Sequence, residues 1–401
     1  MQKLKLGIIG VGAQGGFYTT VLTGIEVTPR PFEIKKRESD LIEVAAFCDT
    51  KEEVRTNLLE KFPGIPVFED YMELLDSGLV DAIVTTVPHY EHTKIGIAAL
   101  ERGIHVLLEK PAGVYTKQVK EIIEASKRHS DLTFAVMFNQ RMNPLYRKVK
   151  EIIANGEIGE IRRTNWIITD WYRTQAYYNN GAWRGTWAGE GGGVLVNQSP
   201  HQLDLIQWLT GVPATVSANV KYGYKRDVSV ENEVTALLDY GNGATGVFIT
   251  CTHEFNGTNR LEISGNKGRI IVDGLRKATI IRMSQTEEEI NLASLNKGNN
   301  DADKLVRGVS IGKNLREEEV LEFPAEEMGQ FHMEVIQNFA ENIVYGTPLI
   351  APGSDGMNGV KLANAIHLSS WLHKEVSMNF DEDLYVKLLN EKVAQELASE
   401  E

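Results

Sequence analysis

Near-continuous apolar runs rich in β-branched residues alternate with helical spacing through the first 140 residues of the chain. LKLGIIG, LIEVAAFCD, DAIVTTVP, HVLLEK and TFAVMFN read as buried strands, and residues 51–61, 91–102 and 116–129 between them read as helices. Strands apolar on both faces need helices on both faces. The pattern therefore predicts an α/β unit over residues 1–140, a doubly wound parallel sheet.

After Asn139 the pattern changes. A helix is predicted from Pro144 to Ala154, followed by the run GEIRRTNWIITDW, an irregular aromatic stretch and a helix near Pro200 to Leu209. TVSANVKYGY, ENEVTALLDYGN, ATGVFITCTHE, RLEISGNKGRIIVDG and ATIIRMS then alternate with turn residues. Such meandering strands predict an α+β unit over residues 141–401, an open, mostly antiparallel sheet with helices on one side. Residues 285–325 are polar enough to be an exposed excursion. Residues 328–345 and 357–374 regain helical spacing, and these C-terminal helices could pack back on the first domain.

Composition acts mainly by exclusion. A chain of 401 residues is too long for one ordinary core. With 42 basic against 55 acidic side chains and a net charge of −13, the surface is wrong for nucleic acid. Cys48 and Cys251 are too few for a disulfide framework or a cysteine-ligated metal, so both are expected buried and reduced, and no metal is expected. Residues 1–20 read as a strand and a glycine turn rather than a leader, and no apolar run is long enough to span a bilayer. A cytoplasmic protein without a membrane partner is the expectation.

Three motifs carry chemistry. The turn Gly10-Val11-Gly12-Ala13-Gln14-Gly15 follows a strand and opens a helix, the context in which glycines cradle a dinucleotide pyrophosphate. Asp49 ends the second strand, where a carboxylate accepts from ribose hydroxyls and repels a 2′-phosphate. NAD is thus favoured over NADP, although Lys51 and Arg55 lie close. Asp49 follows Gly15 by 34 positions, so the first crossover must hold an extra segment, Gly24 to Asp40. Pro88, His89, Glu109, Lys110 and Asn139 lie at the ends of further strands, where ligands of parallel sheets bind. Lys110 reads as a proton-handling amine there, rather than a surface partner of Glu109.

In VNQSPHQLDLIQWL the positions Asn197, His201 and Asp204 are spaced to share one helix face. Trp171 and Arg184 belong to an aromatic, arginine-bearing stretch between Trp166 and Trp187. It suits stacking on sugar rings, and equally core filling or an oligomer interface.

With these motifs in order, the chain resembles the glucose-fructose oxidoreductase / inositol dehydrogenase / rhizopine-catabolism (Gfo/Idh/MocA) family over essentially its whole length. The matching stretches include GIIGVGAQG, VPHYEHTKIGIAALERGIHVLLEKP, FNQRMNPLYRKVKEIIANGEIGEI and AWRGTWAGEGGGVLVNQSPHQLDLIQWL. The resemblance implies a Rossmann domain, an active site between two domains, and hydride transfer between NAD(P) and a carbinol of a sugar or cyclitol. It carries Lys110 and His201 over as catalytic groups. It places Asn197 at the family's acidic position, which cannot ionise here. Substrate contacts are expected from Lys110, Trp171, Arg184, Asn197 and His201. His201, titrating near neutral pH, is expected to accept the proton while Lys110 polarises the oxygen. Rival readings are a glycoside-cleaving enzyme that retains its NAD and a non-catalytic dinucleotide sensor. A homodimer or homotetramer is expected, because the open face of the second sheet needs a cover.

Overall fold

The computed structural model describes residues 3–296 and 315–400. Its first sheet is parallel, with β1 (Leu4–Ile9), β2 (Ile42–Cys48), β3 (Val67–Phe68), β4 (Ala82–Thr85), β5 (His105–Leu108) and β6 (Phe134–Val136) in the order β3-β2-β1-β4-β5-β6. Helices α1 (Ala13–Thr23), α2 (Glu52–Lys61), α3 (Tyr71–Asp76), α4 (His92–Leu100) and α5 (Thr116–Arg128) connect them. The strand order reverses between β1 and β4, which opens a crevice at the carboxyl ends of the strands. Two apolar clusters fill the two faces, one around Ile8, Phe47 and Leu107, the other around Ile83, Val106 and Leu108.

The extra segment in the first crossover is present. α1 ends at Gly24 (φ 78°), and residues 24–40 run without helix or strand before β2. β3 and α3 escaped the sequence reading, since two paired residues are too short to show a period.

The second sheet has the order β14-β13-β12-β11-β7-β10-β9-β8-β15. Its strands are β7 (Ile161–Ile168), β8 (Thr215–Tyr222), β9 (Glu231–Asp239), β10 (Thr245–Cys251), β11 (Asn259–Gly265), β12 (Gly268–Asp273), β13 (Lys277–Met283), β14 (Arg316–Glu322) and β15 (Val376–Ser377). Among the described residues of this sheet only β7 and β10 pair in parallel, and the other pairs are antiparallel. Helices α6 (Pro144–Ala154), capped by the Asn143 side chain, α8 (Pro200–Thr210) and a later helix, Gly356–Leu372, pack on one face. The shorter α7 (Gln175–Asn179) follows β7, and α9 (Glu287–Asn296) follows β13. On the opposite face Ile167, Leu237 and Val320 stay exposed.

The polar stretch 285–325 needs correction. Residues 316–322 form the edge strand β14, whose charged sequence REEEVLE suits a sheet border that must not recruit another strand. Residues 297–314 of that stretch lie outside the described residues. Met333, Val335, Ile336 and Phe339 of α10 (Gln330–Tyr345) join the cluster of Ile8 and Leu107, and Val360 of α11 (Gly356–Leu372) joins that of Ile83. A final helix, α12 (Glu382–Glu400), places Tyr385 and Leu389 in the second core. Among the described residues no helix is long and apolar enough to cross a membrane.

Candidate active site

The glycine turn has the geometry its sequence demands. Gly10 has φ +83°, and a Cβ on Gly15 would sit 2.0 Å from the Gly10 carbonyl oxygen. Above Gly12, by contrast, nothing lies within 4 Å of an added Cβ, so this backbone is open to a pyrophosphate at the start of α1. Ala13 is exposed beside it, whereas the Gln14 side chain turns inward to Tyr18 and Glu109. Asp49 braces the turn from below: its carboxylate accepts from Val11 N at 2.7 Å and from Lys51 N at 2.9 Å. Each oxygen keeps a lone pair for a ribose hydroxyl. Arg55 is engaged elsewhere, with the carbonyls of Asp49 and Thr50 and with Glu69 at 2.9 Å, so it is not free to receive a 2′-phosphate.

Arg30, which the sequence reading missed, comes from the extra segment. Its guanidinium donates to the Ala13 carbonyl and stacks over Phe17 at 5.6 Å, while its buried Nε has no partner. Burial pushes its pKa down, so an anion on the turn would stabilise it.

At the end of β5, Glu109 and Lys110 point apart. Glu109 accepts the Tyr18 hydroxyl and, at 2.9 Å, the Lys110 backbone N–H. Lys110 Nζ instead donates to the Asn197 carbonyl oxygen at 2.9 Å. Burial pulls the lysine pKa down, opposed by the charges of Glu109 and Glu190 and reinforced by Arg184 and Arg173. The surface ion-pair reading of Lys110 is thereby excluded.

The opposing wall departs from the sequence reading. Gly191 (φ +81°) and Gly192 (φ +152°) lead into a π-helical turn, Val194–Gln198, and α8 begins only at Pro200. Glu231 fixes this turn by accepting from Gly193 N at 2.8 Å and Leu195 N at 3.0 Å. Asn197 therefore does not share a helix face with His201 and makes no hydrogen bond to it. Its amide donates to the Glu190 carboxylate.

Glu190 is the principal residue missed. It is 1% exposed, accepts from Gly185 N at 2.6 Å, and is pushed by burial up to about 7. Its carbonyl accepts from His89 Nδ1 at 2.9 Å, so His89, expected on the cofactor, also ties the end of β4 to this wall. An ionisable carboxylate thus stands behind Asn197, supplied from seven positions earlier. A single acid in a glycine run carries no periodicity that could have revealed it.

His201 has a buried, unpartnered Nδ1, and its ring lies edge-on to Phe138 at 6.4 Å. Burial, with Lys110 and His332 nearby, holds its pKa well below the ordinary histidine value. This lowering runs against the expected neutral-pH titration of His201, and Glu190, pushed up to about 7, lies nearer neutrality. Asp204 is no reserve base either: it holds Arg141 through two contacts of 2.8 and 2.6 Å, both side chains 2% exposed.

Asn139 donates to the ring of His332 in α10, a second missed residue, and its Oδ1 is buried without a partner. The aromatic stretch divides. Trp166 and Trp187 are core, while Trp171, Arg173, Tyr177, Trp183 and Arg184 are partly exposed. Arg184 donates to the Tyr177 hydroxyl at 2.6 Å and lies 4.6 Å from the Tyr177 and Trp183 ring centres, and Trp171 Nε1 is buried and unpartnered.

A glycine turn at the switch point of a parallel sheet, with a partly buried lysine whose ammonium meets the π-helical turn before α8, fits a dinucleotide-dependent oxidoreductase. Residues 4–138 match the oxidoreductase family with NAD-binding Rossmann fold, and residues 146–271 match the GFO/IDH/MocA C-terminal domain. The chain belongs to the GFO/IDH/MocA family, and NAD is its cofactor. Among its relatives, the myo-inositol 2-dehydrogenase of Thermotoga maritima is 23% identical, over 94% of this chain and 99% of its own. The levoglucosan dehydrogenase of Pseudarthrobacter phenanthrenivorans is 25% identical, over 69% of this chain and 75% of its own. Among solved structures, a levoglucosan dehydrogenase in complex with NADH and L-sorbose superposes with a TM-score of 0.75 at 19% identity, covering 95% of this chain and 100% of that one. The WlbA dehydrogenase of Bordetella pertussis, in complex with NADH and UDP-GlcNAcA, gives 0.72 at 22% identity with the same coverage.

Proposed function

We propose that this chain oxidises a carbinol of a sugar, cyclitol or sugar derivative with NAD, using Lys110 and Glu190 to manage the proton and Asn197 and His201 to hold the hydroxyl. The carrying observation is the contact of Lys110 Nζ with the Asn197 carbonyl, because it sets an amine of lowered pKa at the domain interface. Bound nicotinamide supplies the hydride acceptor. Lys110 stabilises the developing alkoxide, and its lowered pKa lets it share the proton. Asn197, its amide nitrogen committed to Glu190, keeps its amide oxygen for a substrate hydroxyl. His201, held neutral, offers a hydrogen bond to the same oxygen. Gly10, Gly12, Ala13, Gly15, Asp49 and Arg30 form the cofactor wall, and Trp171 and Arg184 the sugar wall. Relatives named as inositol and levoglucosan dehydrogenases support this substrate class. The exposed apolar side chains of the second sheet support a homodimer or homotetramer.

The test is a panel of inositols, aldoses and glycosides with NAD, followed by NADH absorbance. Sustained NADH formation with a free sugar or cyclitol is the expected result. Release of an aglycone without net NADH would support the enzyme that retains its cofactor instead.

Two substitutions probe the assignments. Glu190→Gln should remove an inflection at about 7 from the pH profile of kcat/KM, since the group that titrates there is gone. Below that pH the wild-type carboxyl is neutral and resembles the amide. The variant should therefore match wild type in acid and diverge above neutrality. An unchanged profile would remove Glu190 from the proton path. Asp49→Ala should weaken NAD binding by roughly tenfold, one or two hydrogen bonds' worth, and improve NADP relative to NAD. Fluorescence titration with both reduced cofactors measures this, and a wild-type preference for NADPH would contradict it.

A further inference from the structure

We propose that Glu233, Cys251 and His253, on the second sheet beyond the catalytic cleft, form a zinc site. Strand register brings them together. Glu233 of β9 lies directly opposite Cys251, the last residue of β10, and His253 follows two residues later. Their neighbours Val234, Ala236 and Phe248 face the helices and the core, so Glu233 and Cys251 lie on the other face of the sheet.

One thiol, one imidazole and one carboxylate oxygen lie within 4.8 Å of one another. Zinc bonds of about 2.0–2.3 Å place tetrahedral donors roughly 3.5 Å apart, so small rotations of the histidine and glutamate would complete the geometry. His253 Nε2 already meets the Glu233 carboxylate at 2.6 Å, which holds both side chains at the site, and the edge of Tyr224 packs on the imidazole at 4.9 Å. A second observation concerns the sulfur itself. Cys251 is fully buried, so its thiol meets the other two side chains from within the sheet rather than from solvent.

The donor set selects the metal. Thiolate with imidazole disfavours magnesium and calcium, and the mixture with carboxylate is common for zinc. Glu233 is 26% exposed in its side chain, so water can reach the remaining coordination position. The site is a staple rather than a reaction centre. It would tie the end of β10 to β9 just where Thr252, on the core side, holds the hydroxyl of Tyr178 at 2.8 Å, behind the aromatic sugar wall. Nothing in this inference depends on the oxidoreductase reading, and its test needs no substrate.

The experiment is calorimetric titration of the chelator-treated, reduced full chain with zinc chloride, alongside cobalt(II) spectra. Wild type should bind one zinc per chain and, with cobalt, develop a thiolate-to-metal charge-transfer band. Cys251→Ser should abolish the band, and His253→Gln and Glu233→Gln should each weaken zinc by at least ~10-fold. Cys48→Ser should leave both signals intact. NADH binding serves as the check that each variant is folded, and the His and Glu variants decide the matter if Cys251→Ser is not. Absence of zinc binding by wild type, a cobalt band that follows Cys48, or unchanged affinity in the His253 and Glu233 variants would overturn the proposal.

Discussion

Replacing Lys110 with methionine is expected to lower turnover by at least ~100-fold while NADH binds with near wild-type affinity. Methionine fills a similar volume, so the end of β5 keeps its packing, and the loss falls on the charge that meets the alkoxide. The geometry is specific about what else changes. With the ammonium gone, the Asn197 carbonyl loses its partner and Glu190 loses a nearby positive charge, so the Glu190 carboxyl should titrate still higher. KM should move less than kcat, because most of the lysine's contribution arises in the transition state. Wild-type turnover in this variant would make Lys110 structural and remove the centre of the proposed mechanism.

Asp204→Ala is expected to destabilise the protein by about 3–5 kcal/mol, since breaking a buried ion pair leaves the remaining charge uncompensated. Arg141 keeps its contact of 2.7 Å with Asp355, a partly exposed carboxylate, and that contact sets the lower end of the range. The loss is also functional. α8 carries both Asp204 and His201, and Arg141 links it to the Ile350 carbonyl at 3.0 Å and to the turn before α11. Thermal melts with and without saturating NADH measure the effect, and Asp204→Asn should retain part of the stability through hydrogen bonding. A melting temperature within a degree of wild type would mean that the pair contributes little.

Both sheets were legible in the sequence because burial on one or two faces leaves a period in the residues themselves. Elements without such a period were not: β3 spans two residues, β14 is almost wholly charged, and α12 carries only a thin apolar stripe. In the site, Lys110 was legible because a lysine two residues past a largely buried strand has few places to go. Glu190 was not, because what singles it out is burial beside Asn197, a property of the folded chain. The misplaced face of Asn197 and His201 has a similar cause. Helical spacing was extended through Ser199, whereas a π-helical turn after the glycines rotates Asn197 toward Glu190. His332 arrives from α10, nearly two hundred residues after the Asn139 it contacts, and only tertiary packing joins them.

Hydride transfer from the substrate carbinol to NAD is the central claim, and isotope tracing tests it most directly. A sugar or cyclitol that turns over would be supplied with deuterium on its ring carbons, and the NADH formed analysed by mass spectrometry. One deuterium per NADH at the nicotinamide ring is the predicted result, with the wild-type rate lowered by a primary isotope effect if this step limits turnover. NADH carrying only hydrogen, or deuterium recovered in water, would contradict direct transfer and with it the assignment of this cleft.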